Sequence, residues 1–157
     1  MVGIEKFSRC YISIMRLIAI VSLLGYFFFQ FFFALSLPEI SNANDFNFKT
    51  LFFTNLPCTP YLQNRNFGPF WEPGVYQAYL NIGLFFVLFF EDRKIRVFDA
   101  IIFSITIITT LSGAAFISMI MVYATFIFNT KSTKKESLAK VLIIVLLFIV
   151  AYNIYYN

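Results

Sequence analysis

The sequence predicts an all-α integral membrane protein with about five transmembrane helices and one polar external loop. Of its 157 residues, 60% are hydrophobic and 13% are charged, and the mean hydropathy of +0.78 exceeds that of an average soluble domain. The basic residues form short clusters beside long uncharged stretches, a pattern typical of membrane topology. We therefore attribute the net charge of +4 to topology, exclude nucleic acid as a partner, and expect residues 1–157 to form a single membrane domain.

Histidine is absent from the chain, which excludes a histidine-centred mechanism or a histidine-ligated metal within these residues. We expect no metal and no cofactor. Cys10 and Cys58 lie on opposite sides of the first long apolar stretch, so we expect that they do not pair with each other within one chain.

The first predicted span covers residues 17–37, which carry no charge and lie between Arg16 and Pro38. At about 1.5 Å per residue, its length matches a hydrocarbon core about 30 Å thick. A cleaved signal peptide is the alternative, because Lys6, Arg9 and Arg16 resemble its charged start. We favour a membrane anchor, since the apolar stretch is too long and no small-x-small cleavage site follows it.

Residues 38–70 form the predicted external loop, and residues 73–90 form the second span. Many asparagines and prolines occur in the loop, a composition that cannot lie in hydrocarbon as open backbone. Pro73 suits the first position of a helix because its missing N–H has no partner there. Glu72 then lies at the helix N-terminus, where the helix dipole favours an anion.

Residues 97–129 contain one acidic residue, Asp99, and no lysine or arginine. As one helix this stretch would be about 50 Å long, which is too long for one span. We therefore predict a break near residues 111–113, with a third span at 97–111 and a fourth at 114–128. A fifth span is predicted at residues 138–156.

The distribution of basic residues is an independent argument for the break. With it, ten of the twelve Lys and Arg residues lie on one side of the membrane, and only Lys49 and Arg65 lie on the other. Without it, the basic residues near Lys131 would lie opposite those near Arg93, against the positive-inside tendency. The N-terminus is therefore predicted to be cytoplasmic and the 38–70 loop external.

Charged and aromatic residues are concentrated where the loop enters the second span. Arg65 could clamp a phosphate with two parallel hydrogen bonds, and Glu72 could accept a proton from a hydroxyl group. The structural alternatives are that Arg65 reaches for lipid head groups, that Glu72 caps the helix, and that Trp71, Tyr76 and Tyr79 are an aromatic belt. The residues themselves leave both interpretations open.

A stripe of small and polar residues continues along the second span, formed by Gly74, Gln77, Ala78 and Asn81. In lipid such a stripe turns toward other helices. We favour helix packing as its role and keep a substrate groove as the alternative.

Thr106, Thr109, Thr110 and Gly113 form a second stripe at helical spacing, which ends at the predicted break. We expect Thr106 and Thr109 to bond back to carbonyl groups of their own helix. For Ser112 and Gly113 a functional role stays open, because a broken helix at membrane depth must be buried in protein or line a cavity.

Two segments of the chain resemble the central motif of bacterial O-antigen polymerases, a family of polysaccharide polymerases related to the O-antigen ligases. In that family an R-x-x-G-x-F-x-E-P-G/S loop enters a helix, and a T-x-S-T/S-G motif follows. The corresponding residues here are Arg65-x-x-Gly68-x-Phe70-Trp71-Glu72-Pro73-Gly74-Val75-Tyr76-Gln77-x-Tyr79-Leu80-Asn81 and Thr109-Thr110-Leu111-Ser112-Gly113. The likeness is specific over the first segment and weaker over the second.

The resemblance implies an enzyme of the bacterial inner membrane that polymerises or ligates oligosaccharide repeat units carried on undecaprenyl diphosphate. The products would be O-antigen of lipopolysaccharide, capsule or exopolysaccharide, and a chain-length regulator and a flippase would be further partners. It also implies catalytic roles for Arg65 and Glu72. Substrate contacts are implied for Arg65, Gly68, Gly74, Gln77, Asn81 and Ser112.

Members of this family have more spans than are predicted here, so we expect the chain to be a fragment or a truncated reading frame. A non-catalytic membrane subunit or carrier that binds lipid-linked oligosaccharide is the alternative function. A pore is poorly supported, because the spans carry no ring of charges.

The predicted topology can be tested with cysteine labelling in intact cells. Cys58 should react with a membrane-impermeant maleimide because its loop is external, whereas Cys10 should react only after permeabilisation. Cys10→Ser and Cys58→Ser variants identify the labelled position. Labelling of Cys10 but not Cys58 in intact cells would contradict the topology.

Overall fold

The computed structural model describes residues 3–31, 39–41, 47–51, 54–58, 65–90 and 93–129. This part of the chain is mostly helical. Its elements are α1 (Ile4–Phe31), β1 (Glu39–Ser41), β2 (Asn47–Leu51), β3 (Thr54–Pro57), α2 (Pro73–Phe90), α3 (Arg93–Thr109) and α4 (Gly113–Asn129).

Two stretches of the described residues, Ile4–Phe29 and Pro73–Phe90, are long and apolar enough to cross a membrane, and α4 is a shorter apolar helix. The prediction of five spans is therefore not supported. α3 is not among the candidate spans because it is short and carries charged residues. The predicted span at 138–156 lies outside the described residues.

The first helix begins at Ile4, well before the start predicted at residue 17. Arg16 lies inside α1, and its Nη2 donates to Oδ2 of Asp99 on α3 at 2.6 Å. Asp99 is fully buried, so Arg16, which precedes the first predicted span, is an interhelical partner.

The segment between α1 and α2 contains a small antiparallel sheet in the order β1-β2-β3, which the all-α prediction did not include. Ile40 pairs with Phe48, and Lys49 pairs with Leu56. β1 has three residues, which is too short for alternation of apolar and polar residues to be recognised, and β2 and β3 do not alternate strictly. Pairing them satisfies backbone groups that a polar loop would otherwise leave to water.

The sheet packs on α1 through β3. Thr54 is buried, and its hydroxyl lies 3.4 Å from the Val21 carbonyl oxygen. A Cβ atom at Gly25 would collide with the Thr54 side chain, so glycine permits this close approach of strand and helix.

The helices alternate in direction around α2, which packs against α1, α3 and α4. Phe7 near the start of α1 contacts Phe86 near the end of α2, with ring centroids 6.0 Å apart. Phe89 contacts Phe126 near the end of α4 at 5.7 Å. The core between them is apolar, and its fully buried members include Ile12, Leu80, Leu84, Val87, Phe103 and Ile107.

A helix break occurs where the sequence predicted it. α3 ends at Thr109, and the amides of Thr110 and Leu111 donate to the carbonyl groups of residues 107 and 108. Leu111 has a left-handed φ of 48°, which redirects the chain into α4. The Ser112 carbonyl accepts hydrogen bonds from Ala115 and Phe116 at the start of that helix.

Cys58 follows β3 and is half-buried. Burial raises the pKa of its thiol, and the negative charge of Glu39 raises it further, while Lys49 acts in the opposite direction. Because the thiolate is the reacting form, maleimide labelling of Cys58 should be slow at neutral pH and accelerate as the pH rises. Labelling in intact cells is therefore best performed above neutral pH.

The Arg16–Asp99 pair should dominate the stability of the α1–α3 contact. Asp99→Leu alone leaves a partly buried guanidinium without its carboxylate and should lower the free energy of unfolding by about 3 kcal/mol. The double variant Arg16→Met/Asp99→Leu should cost clearly less than the sum of the two single variants. Thermal or denaturant unfolding of the purified protein in detergent measures this.

Arg9→Met is the matched control, because Arg9 lies on the same helix and is exposed. It should leave unfolding nearly unchanged. Additive effects of Arg16→Met and Asp99→Leu would show that the two residues do not stabilise each other.

Candidate functional site

The candidate site is the loop–helix junction, which we define as residues 65–81 together with residues 109–113. The first segment is the end of the loop that precedes α2 and the first half of α2, and the second is the turn between α3 and α4. The two segments are far apart in the chain, yet Asn66 and Thr109 are joined by hydrogen bonds.

Asn66 joins the two segments. Only 1% of it is exposed. Its backbone N–H donates to the Thr109 carbonyl at 2.8 Å, and its Nδ2 donates to the Thr109 hydroxyl at 3.0 Å and lies 3.4 Å from the Ser22 hydroxyl. Its Oδ1 accepts from the Gly68 N–H at 2.9 Å. One side chain therefore ties the loop to α1 and α3.

Gly68 turns the chain between Asn66 and α2. Its φ is +53°, and a Cβ atom there would lie 2.6 Å from Cε1 of Tyr76. A larger residue would therefore be strained by its backbone and would also collide with the ring. The Gly68 carbonyl accepts a hydrogen bond from the Asn55 N–H of β3 at 2.8 Å, which connects the turn to the sheet.

Tyr76 connects α2 to α1 and also contacts the loop that precedes α2. It is fully buried, and its hydroxyl is 2.6 Å from the Ser22 hydroxyl. The Phe70 ring stacks on Tyr76 at 5.3 Å and on Tyr79 at 5.1 Å. The Phe70 carbonyl accepts from the Asn55 amide at 3.2 Å, so loop, sheet and helix hold one another in place.

Arg65 and Glu72 lie at the two ends of this tied segment. Arg65 is half-buried and immediately precedes Asn66, whereas Glu72 is exposed. The Glu72 carbonyl accepts from the Tyr76 N–H at 3.2 Å, and a Cβ atom at Gly74 would lie 3.3 Å from Glu72 Oε1. Glu72 therefore begins α2 with its carboxylate beside the first turn, as the helix dipole favours.

The predicted stripe on α2 is divided by the fold. Gln77 and Asn81 are buried, and Asn81 Nδ2 donates to Oε1 of Gln77 at 2.9 Å and lies 3.5 Å from the Ala115 carbonyl of α4. Ala78 is exposed and Gly74 is half-buried. Helix packing thus accounts for Gln77 and Asn81, and their predicted contact with substrate stays a prediction.

Thr106 and Thr109 bond back to their own helix, as expected, and Thr110, which follows α3, does the same. Thr106 donates to the carbonyl of residue 102, Thr109 to that of Thr106, and Thr110 to that of residue 107, each at 2.7 Å. Ser112 is half-buried and begins α4 through its carbonyl group. Thr109, rather than Ser112, is the residue that the loop contacts.

Asn66 and Ser22 are the residues that sequence reasoning missed. Asn66 occupies a variable position of the motif and stands in a loop rich in asparagine, so nothing in its surroundings distinguishes it. Ser22 lies in an apolar span, where a single hydroxyl is an ordinary occurrence. Among the described residues, no group of three or more His, Cys, Asp or Glu residues is arranged to hold a metal ion.

Comparison with known proteins found no matching family model, no matching curated protein and no matching solved structure.

The role of Asn66 can be tested by replacing it with its closest isostere. Asn66→Asp removes the donor to Thr109 and Ser22 and buries a charge, so it should lower the free energy of unfolding by at least about 2 kcal/mol. Asn47→Asp is the matched control, because Asn47 is exposed and its Oδ1 is an acceptor from Ser41.

Unfolding in detergent and protease cleavage within the loop measure both variants. Asn66→Asp should also expose the loop to protease, since the ties to α1 and α3 are lost. Equal behaviour of the two variants would mean that the Asn66 hydrogen bonds do not hold the junction.

Proposed function

We propose that this chain is a multi-pass protein of the bacterial inner membrane with a cytoplasmic N-terminus, and that its loop–helix junction transfers sugar at the outer face. The substrate is oligosaccharide linked to undecaprenyl diphosphate, and the reaction is the polymerisation or ligation of repeat units. The activity is that of a glycosyltransferase of the O-antigen polymerase type, as part of polysaccharide biosynthesis.

A membrane location is supported by the distribution of side chains in the helices. Large apolar side chains are exposed on all four helices, including Leu24, Phe85, Phe98 and Met121. The buried polar side chains include Ser22, Gln77, Asn81, Asp99 and Thr106. Outward apolar surface and inward polar groups suit a lipid environment, where polar residues face the bundle interior.

The observation that carries the proposed activity is the contact between the two motif segments. Asn66 and Thr109 are 43 residues apart in the chain, and each lies in a segment that resembles the polymerase motif. In a bundle of alternating helices the loop before α2 and the turn after α3 lie at the same end, and the Asn66–Thr109 hydrogen bonds bring the two segments into direct contact. Their direct bonding supports a common site.

The proposed chemistry uses Arg65 and Glu72 and needs neither a metal nor a nucleotide sugar. Arg65 holds the pyrophosphate of the donor through its planar guanidinium. The acceptor hydroxyl oxygen forms a bond to the anomeric carbon, and the bond from that carbon to the phosphate oxygen breaks. Glu72 takes the hydroxyl proton, while undecaprenyl diphosphate leaves with the bonding electron pair.

Conservative substitutions in the native host test this chemistry. Arg65→Lys keeps the charge but loses the two-pronged geometry, so polymer formation should fall at least about tenfold. Glu72→Gln keeps the size but removes the base, and a fall of about 100-fold or more is expected. The ladder of polymer lengths on a gel, at equal protein level, measures both.

Two variants of similar chemistry are the controls. Lys49→Arg and Glu39→Gln change a basic and an acidic residue of the external sheet, where the two residues lie 4.0 Å apart, and should leave the ladder unchanged. Wild-type ladders from both Arg65→Lys and Glu72→Gln would show that these residues are structural and would remove the proposed activity.

A further inference from the structure

Two exposed aromatic residues, Trp71 and Tyr79, lie close in the chain to the proposed catalytic residue Glu72. Trp71 is 68% exposed and Tyr79 is 42% exposed. Phe70 connects them, because it precedes Trp71 in the chain and stacks on Tyr79 with the two ring planes 19° apart. These two exposed rings, which we call the aromatic platform, do not contribute to the buried core.

The backbone that carries Trp71 is held firmly although its ring is exposed. The Phe70 N–H donates to the Phe67 carbonyl at 3.1 Å, its carbonyl accepts from Asn55, and α2 begins at Pro73. A ring displayed from such a fixed segment loses little conformational freedom when it binds a ligand, which favours affinity.

The neighbours of Trp71 indicate which kind of ligand fits. Glu72 is exposed, and a carboxylate is costly in hydrocarbon, so the Trp71–Glu72 segment lies in water or at the membrane surface. An exposed aromatic ring that is followed in the chain by an exposed carboxylate suits a ligand with one apolar face and a hydroxyl-bearing edge. A pyranose ring has this character, whereas a lipid chain has no group for the carboxylate.

We propose that the aromatic platform binds a pyranose ring of the acceptor oligosaccharide, with the C–H face of the sugar on the indole of Trp71 and a hydroxyl group directed to Glu72. This assignment rests on the proposed function and adds the position of the acceptor to it. Tyr79 extends the platform along α2, away from Glu72.

The chain contains a single tryptophan, so its fluorescence reports on Trp71 alone. The full chain in lipid nanodiscs is titrated with the repeat-unit oligosaccharide released from the polysaccharide of its own host. A saturable change in Trp71 emission is expected. Tyr79→Ala should weaken the apparent affinity about fivefold, whereas Tyr79→Phe, which keeps the ring, should bind as the wild type does.

Phe128→Ala is the matched control, since Phe128 is an exposed aromatic residue at the opposite end of the bundle. It should leave the titration unchanged. Circular dichroism checks that each variant keeps its helical content. A titration without a saturable change, or an equal effect of Tyr79→Ala and Phe128→Ala, would overturn the platform.

A second measurement separates sugar binding from an aromatic belt in the lipid head groups. Nanodiscs that contain brominated lipid quench rings located among the lipids. Sugar should protect Trp71 from this quenching if it covers the ring, and quenching that sugar does not change would overturn the proposal.

The two proposals can fail separately. Saturable sugar binding together with a wild-type polymer ladder from Glu72→Gln would remove the catalytic role and leave the platform in place. Loss of the polymer ladder in Glu72→Gln, together with Trp71 fluorescence that sugar does not change, would support the proposed activity and overturn the platform.

Discussion

The hydrogen bonds of Asn66 are the constraint on which the loop end of the bundle depends. A buried amide must have partners for its polar atoms, because each unsatisfied one costs free energy. Thr109, Ser22 and the Gly68 N–H supply them. The left-handed turn at Gly68 accompanies these hydrogen bonds and brings the backbone close to the Tyr76 ring.

α2 connects the loop to the rest of the bundle. It begins where the loop is held, and it packs against the three other helices along its length. The Arg16–Asp99 pair joins α1 to α3 at a separate level and connects residues 83 positions apart. Arg16 Nε and Asp99 Oδ1 are buried without hydrogen-bond partners in the described part of the chain, so the pair rests on one strong contact.

The same hydrogen bonds bear on the function proposed for the junction. Arg65 and Glu72 lie at opposite ends of a segment in which Asn66 is hydrogen-bonded to Thr109 and the carbonyl groups of Gly68 and Phe70 accept from Asn55. Binding and catalytic groups work best on loops that a rigid scaffold positions. The Glu72 side chain and the Trp71 and Tyr79 rings are exposed at the surface of the junction.

The amino-acid sequence by itself determined the features that depend on neighbouring residues. The start of α2 at Pro73, the break after Thr109 and the back-bonding of the α3 threonines all follow from local geometry and hydropathy. Tertiary structure decided the rest. The partner of Arg16, the pairing of three very short strands and the role of Asn66 arise from contacts between distant residues, which leave no periodic signal in the chain. For that reason the sequence did not reveal that Arg16 pairs with another helix, and Asn66, which joins both motif segments, resembled any other asparagine in a polar loop.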